Sequence, residues 1–179
     1  MIVRLLPVLW LISATNASKK IMETRLVNFY QCPDKPNIPV VWKDMVVKRI
    51  NAKESRLYGE ITVSKTIKDM KLLLEMYKCA SKSETHTCEY YTSLKLSSVC
   101  DKIEKKASPW YQYWNRTELP KTCPVHAGTY AVHGVKVGMD TVFPLFEAYW
   151  KFKNKGMNEK GNLLNCFFME IDIHKRYKL

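Results

Sequence analysis

Six cysteines constrain the fold of this 179-residue chain more than any other feature of its sequence. They stand at positions 32, 79, 88, 100, 123 and 166, and an even number is typical of disulfide-linked extracellular proteins. Zinc sites use close pairs such as Cys-x-x-Cys, whereas the nearest pair here, Cys79 and Cys88, has eight residues between its members. We therefore expect three disulfides and no metal, although spacing alone does not select one of the many connectivities.

The N-terminus predicts export from the cell. Arg4 precedes an apolar run over residues 5–12 and small residues at 13–17, which is the pattern of a signal peptide cleaved after Ala17. The apolar run covers less than half of the roughly 20 residues that a membrane-spanning helix needs. We therefore expect a signal peptide at residues 1–17 and a secreted, extracellular single domain at 18–179. The sequon Asn115-Arg116-Thr117 predicts a glycan on Asn115.

The formal charge of +12 is spread along the chain, with a local concentration of basic residues at positions 174–178. Dispersed charge of this kind mainly keeps a surface soluble. The alternative is attraction to anionic lipid headgroups or to acidic partners, which would make a membrane surface a partner. Because the chain has neither a basic helix nor an RNA-binding aromatic motif, we expect no nucleic acid partner.

Apolar and polar residues alternate along much of the chain with the period of a half-buried β-strand. This pattern predicts about seven strands, at residues 26–32, 40–50, 56–64, 69–79, 129–137, 147–153 and 163–174. Residues 69–79 fit a helix equally well, and residues 96–106 fit one short helix. Residues 154–162 are expected to form a long loop between the last two strands. The fold class is therefore all-β and mainly antiparallel, as a sandwich, barrel or cup.

No catalytic motif stands out in the sequence. The chain has no Gly-x-Ser-x-Gly elbow, no His-Glu-x-x-His motif and no phosphate-binding glycine loop, and its four histidines never fall at ligand spacing. We therefore expect no catalytic residues, no cofactor and no enzymatic activity. A site assembled from distant residues such as His126 and His133 stays an alternative.

Two apolar, aromatic segments lie where loops normally carry polar residues, at 109–114 and 143–146. Such segments either fold into the core or mark an interaction site. We expect them to gate an apolar ligand cavity walled by inward-facing strand residues. The predicted ligand-binding residues are Leu72, Leu74, Trp110, Tyr113, Trp114, Phe143, Leu145, Phe146, Trp150 and Phe152.

Residues 119–130 contain Cys123-Pro124 followed by Gly128-Thr129-Tyr130. This segment resembles the Cys-Pro-x-x-x-Gly-x-Tyr signature of the ganglioside-activator family of lipid-transfer proteins, and is similar to the insect chemosensory proteins of types A and B. Cys100 upstream, and Phe143-Pro144, Trp150 and Cys166 downstream, agree with that pattern in order and spacing. The similarity covers residues 79–173 and identifies the chain with the ML-type lipid-recognition superfamily.

The resemblance implies a β-cup around a central apolar cavity, and it favours the strand at residues 69–79. It implies the pairs Cys32–Cys166, Cys79–Cys88 and Cys100–Cys123, while the activator proteins have a fourth disulfide that this chain lacks. It further implies a secreted carrier of a lipid or other hydrophobic small molecule, such as a pheromone or tastant in chemosensation, with a sensory receptor as a further partner. The alternative is a secreted protein-binding module that uses the aromatic loops as its docking patch.

Overall fold

The computed structural model describes residues 19–51, 54–106, 108–136 and 146–178. Within these residues, eight antiparallel strands form two sheets, with two short α-helices beside them. The strands are β1 (Lys19–Gln31), β2 (Val40–Arg49), β3 (Ser55–Val63), β4 (Lys71–Cys79), β5 (Glu89–Leu96), β6 (Gly128–Lys136), β7 (Ala148–Met157) and β8 (Leu163–Lys178). The helices are α1 (Cys100–Ile103) and α2 (Pro109–Trp114), and a single 3-10 turn spans Thr85–Thr87. The predicted antiparallel β fold is therefore confirmed.

The two sheets are closed along one side and separated along the other. The larger sheet has the strand order β1-β8-β7-β4-β5, and the smaller has the order β2-β3-β6. Strands β1 and β8 lie against β2, whereas β5 and β6 do not contact each other in the described part of the chain. Helices α1 and α2 contact each other, and α2 contacts β6, on this separated side. The arrangement is a cup whose mouth lies beside the two helices.

Period-two alternation positions the core. On β7, Trp150 and Phe152 face inward and are fully buried, while Lys151 and Lys153 face outward. The same alternation puts Leu57, Ile61 and Val63 of β3 on the inner face of the smaller sheet. Because each buried Leu, Ile or Phe side chain contributes about 1.5–3 kcal/mol, these two inner faces supply the main force that holds the sheets together.

Three disulfides cross-link the described chain, and their pairing is the one that the family resemblance implies: Cys32–Cys166, Cys79–Cys88 and Cys100–Cys123. The first fixes the end of β1 to β8 across 134 residues of sequence. In the chain-entropy model, closing a loop of that length stabilises the fold by about 5 kcal/mol. Three structural disulfides indicate folding in an oxidising compartment.

Two strand predictions need correction. Strand β5 was missed, because at the edge of the sheet it buries little and its first residues, Glu89, Tyr90 and Tyr91, are all exposed, which hides the alternation. The loop predicted at 154–162 is wrong, because β7 continues to Met157. Only a tight turn remains between β7 and β8, with Gly161 at a φ of +81° that other residues rarely adopt.

The two helices also differ from their predictions. The helix expected within 96–106 is reduced to the four residues of α1, because residues up to Leu96 pair with β4 as part of β5. Residues 109–114, expected to be a loop, form α2 instead. Lys121 Nζ donates hydrogen bonds to the carbonyl oxygens of Trp114 and Thr117 at the end of α2, where the last carbonyls of a helix lack partners within the helix.

A buried carboxylate lies on the outer face of the larger sheet. Both oxygens of Glu170 accept hydrogen bonds from phenols, with Tyr30 donating at 3.0 Å and Tyr149 at 2.9 Å. Burial, together with the charge of Glu170, raises the pKa of both tyrosines well above the ordinary value of 10.0. The folded protein therefore favours the neutral phenols, and ionising either of them opposes folding.

The sign of the resulting pH dependence is fixed by those raised pKa values. Because they lie above the unfolded value, the phenols contribute their full stability below pH 10.0 and lose it as the pH rises further. We expect the free energy of unfolding to fall above that pH, and Tyr149→Phe to cost about 1–3 kcal/mol at neutral pH. Urea titrations between neutral and alkaline pH measure both effects. The exposed Tyr90→Phe is the control, and an equal loss of stability there would contradict the assignment.

Candidate functional site

An apolar cavity of about 170 Å³ lies between the two sheets. The larger sheet and the residue before β4 contribute Phe29, Met70, Leu72, Leu74, Leu96, Asn154, Asn165, Phe167 and Met169. The smaller sheet contributes Trp42, Leu57, Ile61, Val132 and Val135. Because these side chains come from the inward positions of all eight described strands and are mostly apolar, the cavity continues the core instead of indenting the surface.

The mouth of the cup is covered by a segment that runs from Val99 to Leu119, which we call the lid. It supplies the rest of the cavity wall: Val99, Lys102, Ile103, Tyr113, Trp114, Thr117 and Leu119. The lid is tied to both sheets, because Val99 N donates to the Met70 carbonyl beside β4 and residues 116–118 pair with β6. It is also fixed to the residue that follows it, since Trp114 Nε1 donates to the Pro120 carbonyl at 2.6 Å.

A second, smaller cavity of about 70 Å³ adjoins the first. It shares Trp42, Met70 and Trp114 with the main cavity and reaches Val40 and Val125. Both cysteines of the Cys100–Cys123 disulfide lie on its wall. That disulfide therefore holds the start of α1 against the chain before β6 at the edge of the enclosed apolar space.

Three rings hold the closed side of the cup. Phe29 of β1, Trp42 of β2 and Phe167 of β8 lie with their centroids 4.7–5.0 Å apart, and all three line the cavity. Trp42 Nε1 also donates a 2.7 Å hydrogen bond to Asn165 Oδ1 of β8. This bond crosses from one sheet to the other and satisfies a buried amide oxygen that would otherwise cost about 1–3 kcal/mol.

The second asparagine of the wall is not satisfied in this way. Asn154 lies in the middle of β7, between Leu74 of β4 and Phe167 of β8, and is 3% exposed. Its Oδ1 is buried and accepts no hydrogen bond from any described residue. Of the other polar wall residues, Thr117 donates to the Trp114 carbonyl, and Lys102 is half-buried with no ion pair among the described residues.

The predicted ligand-binding residues separate into three groups. Leu72, Leu74, Tyr113 and Trp114 line the main cavity. Trp150 and Phe152 were expected on the wall, but they lie in the packed core, because the cavity meets the part of β7 nearer its C-terminal end. Phe143 and Leu145 lie outside the described residues, and the side chain of Trp110 is likewise not described.

Phe146 was also expected at the cavity, but it lies on the surface. It forms edge-to-face contacts with Tyr91 of β5 and Trp150 of β7, and Lys78 Nζ lies 4.8 Å from its ring centroid. Tyr91 and Phe146 are 51% and 41% exposed. We call Tyr91 and Phe146 the outer ring patch. It is separate from the cavity, because none of its members lines the wall.

Sequence reasoning missed Trp42, Asn154 and Gly156. A signal existed for Gly156, because a glycine inside a strand often marks a close approach. The Met70 side chain occupies the space that a Cβ at Gly156 would need. Gly156 thus lets Met70 lie against β7 and form part of the wall. Asn154 gave no signal, since an asparagine beside lysines is typical of an exposed turn.

The described residues contain no group of three or more histidines, cysteines or carboxylates placed to hold a metal ion. His133 Nε2 lies 3.0 Å from Glu118 Oε1 on the exposed surface of β6, away from the cavity wall. A backbone hydrogen bond from Ala131, and then the bond to His133, lower the pKa of Glu118. No helix in the described part of the chain has the length and hydrophobicity to cross a bilayer.

Comparison with protein-family models and with curated protein sequences finds no match for this chain. The similarity of residues 119–130 to the ganglioside-activator signature therefore stays a prediction. The cavity, its lid and the unpaired amide oxygen of Asn154 are the features of the structure that indicate a function.

The Cys100–Cys123 disulfide of the lid should affect ligand affinity more than a disulfide of similar stabilising effect elsewhere in the protein. Replacing Cys100 and Cys123 by alanine frees the lid, and we expect affinity for the apolar probe phenylnaphthylamine to fall by about tenfold, the cost of reordering part of the segment. Probe fluorescence on titration measures the affinity. The matched control removes Cys79–Cys88, because both losses cost about 3 kcal/mol in the chain-entropy model. Equal loss of affinity in the two variants would contradict the role of the lid.

Proposed function

We propose that this protein is a secreted carrier that binds a hydrophobic small molecule or single-chain lipid in the cavity between its sheets. The observation that carries the proposal is the cavity wall, which among the described residues is apolar apart from four and is built from eight strands and the lid. Ligand sites of this kind are concave, mostly apolar and contain a few placed polar groups. Empty apolar space is costly to a protein core, so its presence needs a functional reason.

The size of the cavity limits the ligand. At about 170 Å³ it is comparable to an engineered dry cavity of about 150 Å³ that binds benzene. One ring or one short chain fits without rearrangement, whereas a lipid with two chains, or a probe of several rings such as phenylnaphthylamine, requires the lid to move. The adjoining cavity of about 70 Å³ gives a chain room to extend towards Val125.

We extend the proposal to the family of the protein and to the fluid in which it acts. The disulfide pairing and the one-sided mouth support a place in the ML-type lipid-recognition superfamily, near the insect chemosensory proteins of types A and B. On that basis the ligand is a pheromone-like or taste-active compound carried in extracellular fluid, with a sensory receptor or membrane surface as a further partner. The proposed role is delivery of the ligand without chemical change, because no described catalytic group lies on the wall.

A second candidate function rests on the outer ring patch. Exposed rings beside Lys78 suit a secreted module that docks on another protein, since aromatic residues are enriched at such interfaces. The two functions differ in what the cavity does. Protein that is purified without a bound compound and takes up none on titration would favour the docking module.

Ligand chain length should report the size of the cavity. We expect the affinity for straight-chain alcohols to rise about fourfold with each methylene, because burying one is worth about 0.8 kcal/mol, and then to level off when the space is full. Val135→Phe fills part of the cavity and should bring the plateau to a shorter chain. Displacement of phenylnaphthylamine measures each affinity. The control, Phe146→Leu, changes a surface ring and should leave the affinities for the alcohols unchanged. If the plateau falls at the same chain length in Val135→Phe as in the natural protein, the result would argue against the carrier.

Secretion can be tested independently of binding. Expressed with its own N-terminus in a eukaryotic secretory host, the protein should appear in the medium starting at Ser18 and with a glycan on Asn115, an exposed residue just after α2. Intact-mass spectrometry with and without glycosidase measures both, and Asn115→Gln should abolish the glycan. Organic extraction of the same material identifies any apolar compound that is bound. Retention of the full chain inside the cell would contradict the secreted carrier.

A further inference from the structure

Among the described residues of the cavity wall, the carboxamide oxygen of Asn154 is the one buried side-chain atom without a hydrogen-bond partner. It lies at the centre of the larger sheet, with Leu74 and Phe167 as its neighbours on adjacent strands. Leaving such an oxygen buried without a donor destabilises a fold, and a leucine of similar shape would remove that cost. The contrast with Asn165 is direct, because the latter accepts a hydrogen bond from Trp42.

We infer that the ligand carries a hydroxyl group that donates a hydrogen bond to Asn154 Oδ1, so the cavity selects alcohols over hydrocarbons and ethers of the same size. The inference rests on the proposed carrier function and names the chemistry of its ligand. Oδ1 is covered in the unliganded structure, so the inference includes a turn of the carboxamide towards the cavity. An alcohol then supplies the donor that Oδ1 lacks, and its apolar remainder fits the rest of the wall.

Water is a poor substitute for that hydroxyl. A buried water molecule needs several polar partners, whereas the strand neighbours of Asn154 on this wall are Leu74 and Phe167. The nearby amide of Asn165 already uses its oxygen for Trp42. A ligand that brings a donor on an apolar chain satisfies Oδ1 and fills the apolar space at the same time.

The other polar residue that could select a headgroup is Lys102 on the lid. Its half-buried side chain would attract a carboxylate, so a fatty acid would lie with its polar end at the lid. Asn154 favours a hydroxyl and Lys102 favours a carboxylate. Alcohols and acids of one chain length therefore distinguish these two polar groups of the wall.

The test compares decanol, nonyl methyl ether and decanoic acid, which displace phenylnaphthylamine from the disulfide-bonded protein. A net hydrogen bond corresponds to about a tenfold difference in affinity, so we expect decanol to bind about tenfold more tightly than the ether. In Asn154→Leu the two should bind equally, and the melting temperature should rise by about 2–6 °C because the unpaired oxygen is gone.

Asn165→Leu is the matched control, because it changes the same residue type on the same wall. It should lower the melting temperature by leaving Trp42 Nε1 without its acceptor, and it should keep the preference for decanol. Equal binding of alcohol and ether to the natural protein would overturn the inference and leave the carrier intact. A preference for decanoic acid that Lys102→Met abolishes would also overturn it. Failure of every compound to displace the probe would instead overturn the carrier function itself.

Discussion

The rest of the structure depends on the contact between the sheets at Phe29, Trp42 and Phe167. These rings come from β1, β2 and β8, and the hydrogen bond from Trp42 to Asn165 crosses the same junction. The nearby Cys32–Cys166 disulfide fixes β1 to β8 covalently. Because one side of the cup is held this firmly, the other side can stay apart, and the cavity exists in the space between them.

The cavity and its support have different physical requirements. The closed side relies on dense packing around rings and on a satisfied amide, as expected of a protein core. The mouth relies on a short segment held by backbone hydrogen bonds and the Cys100–Cys123 disulfide. An enclosed apolar space forgoes part of the contact energy of a filled core, and the covalent links offset that loss. Asn154 adds a further cost, which an alcohol would remove on binding.

Much of the fold was predictable because burial and strand period coincide. The alternation on β3, β7 and β8 identified the inward residues, and the resemblance selected the disulfide pairs. The edge strand β5 was not predictable, because its outward residues include Tyr90 and Tyr91 and conceal the pattern. The site was only partly predictable, since Trp150 and Phe146 share the aromatic character of Trp114 but lie elsewhere. The period of the sequence predicts which residues of a strand face inward. Which of those inward residues line the cavity depends on their position along the strand.

The lid has a consequence for how such proteins diversify. Seven of the residues that contact the enclosed space fall within one continuous stretch of 21 positions, from Val99 to Leu119. The described strands that form the two sheets all lie outside that stretch. Exchange of one short chain segment could thus change what the protein accommodates while leaving the elements that fold it untouched.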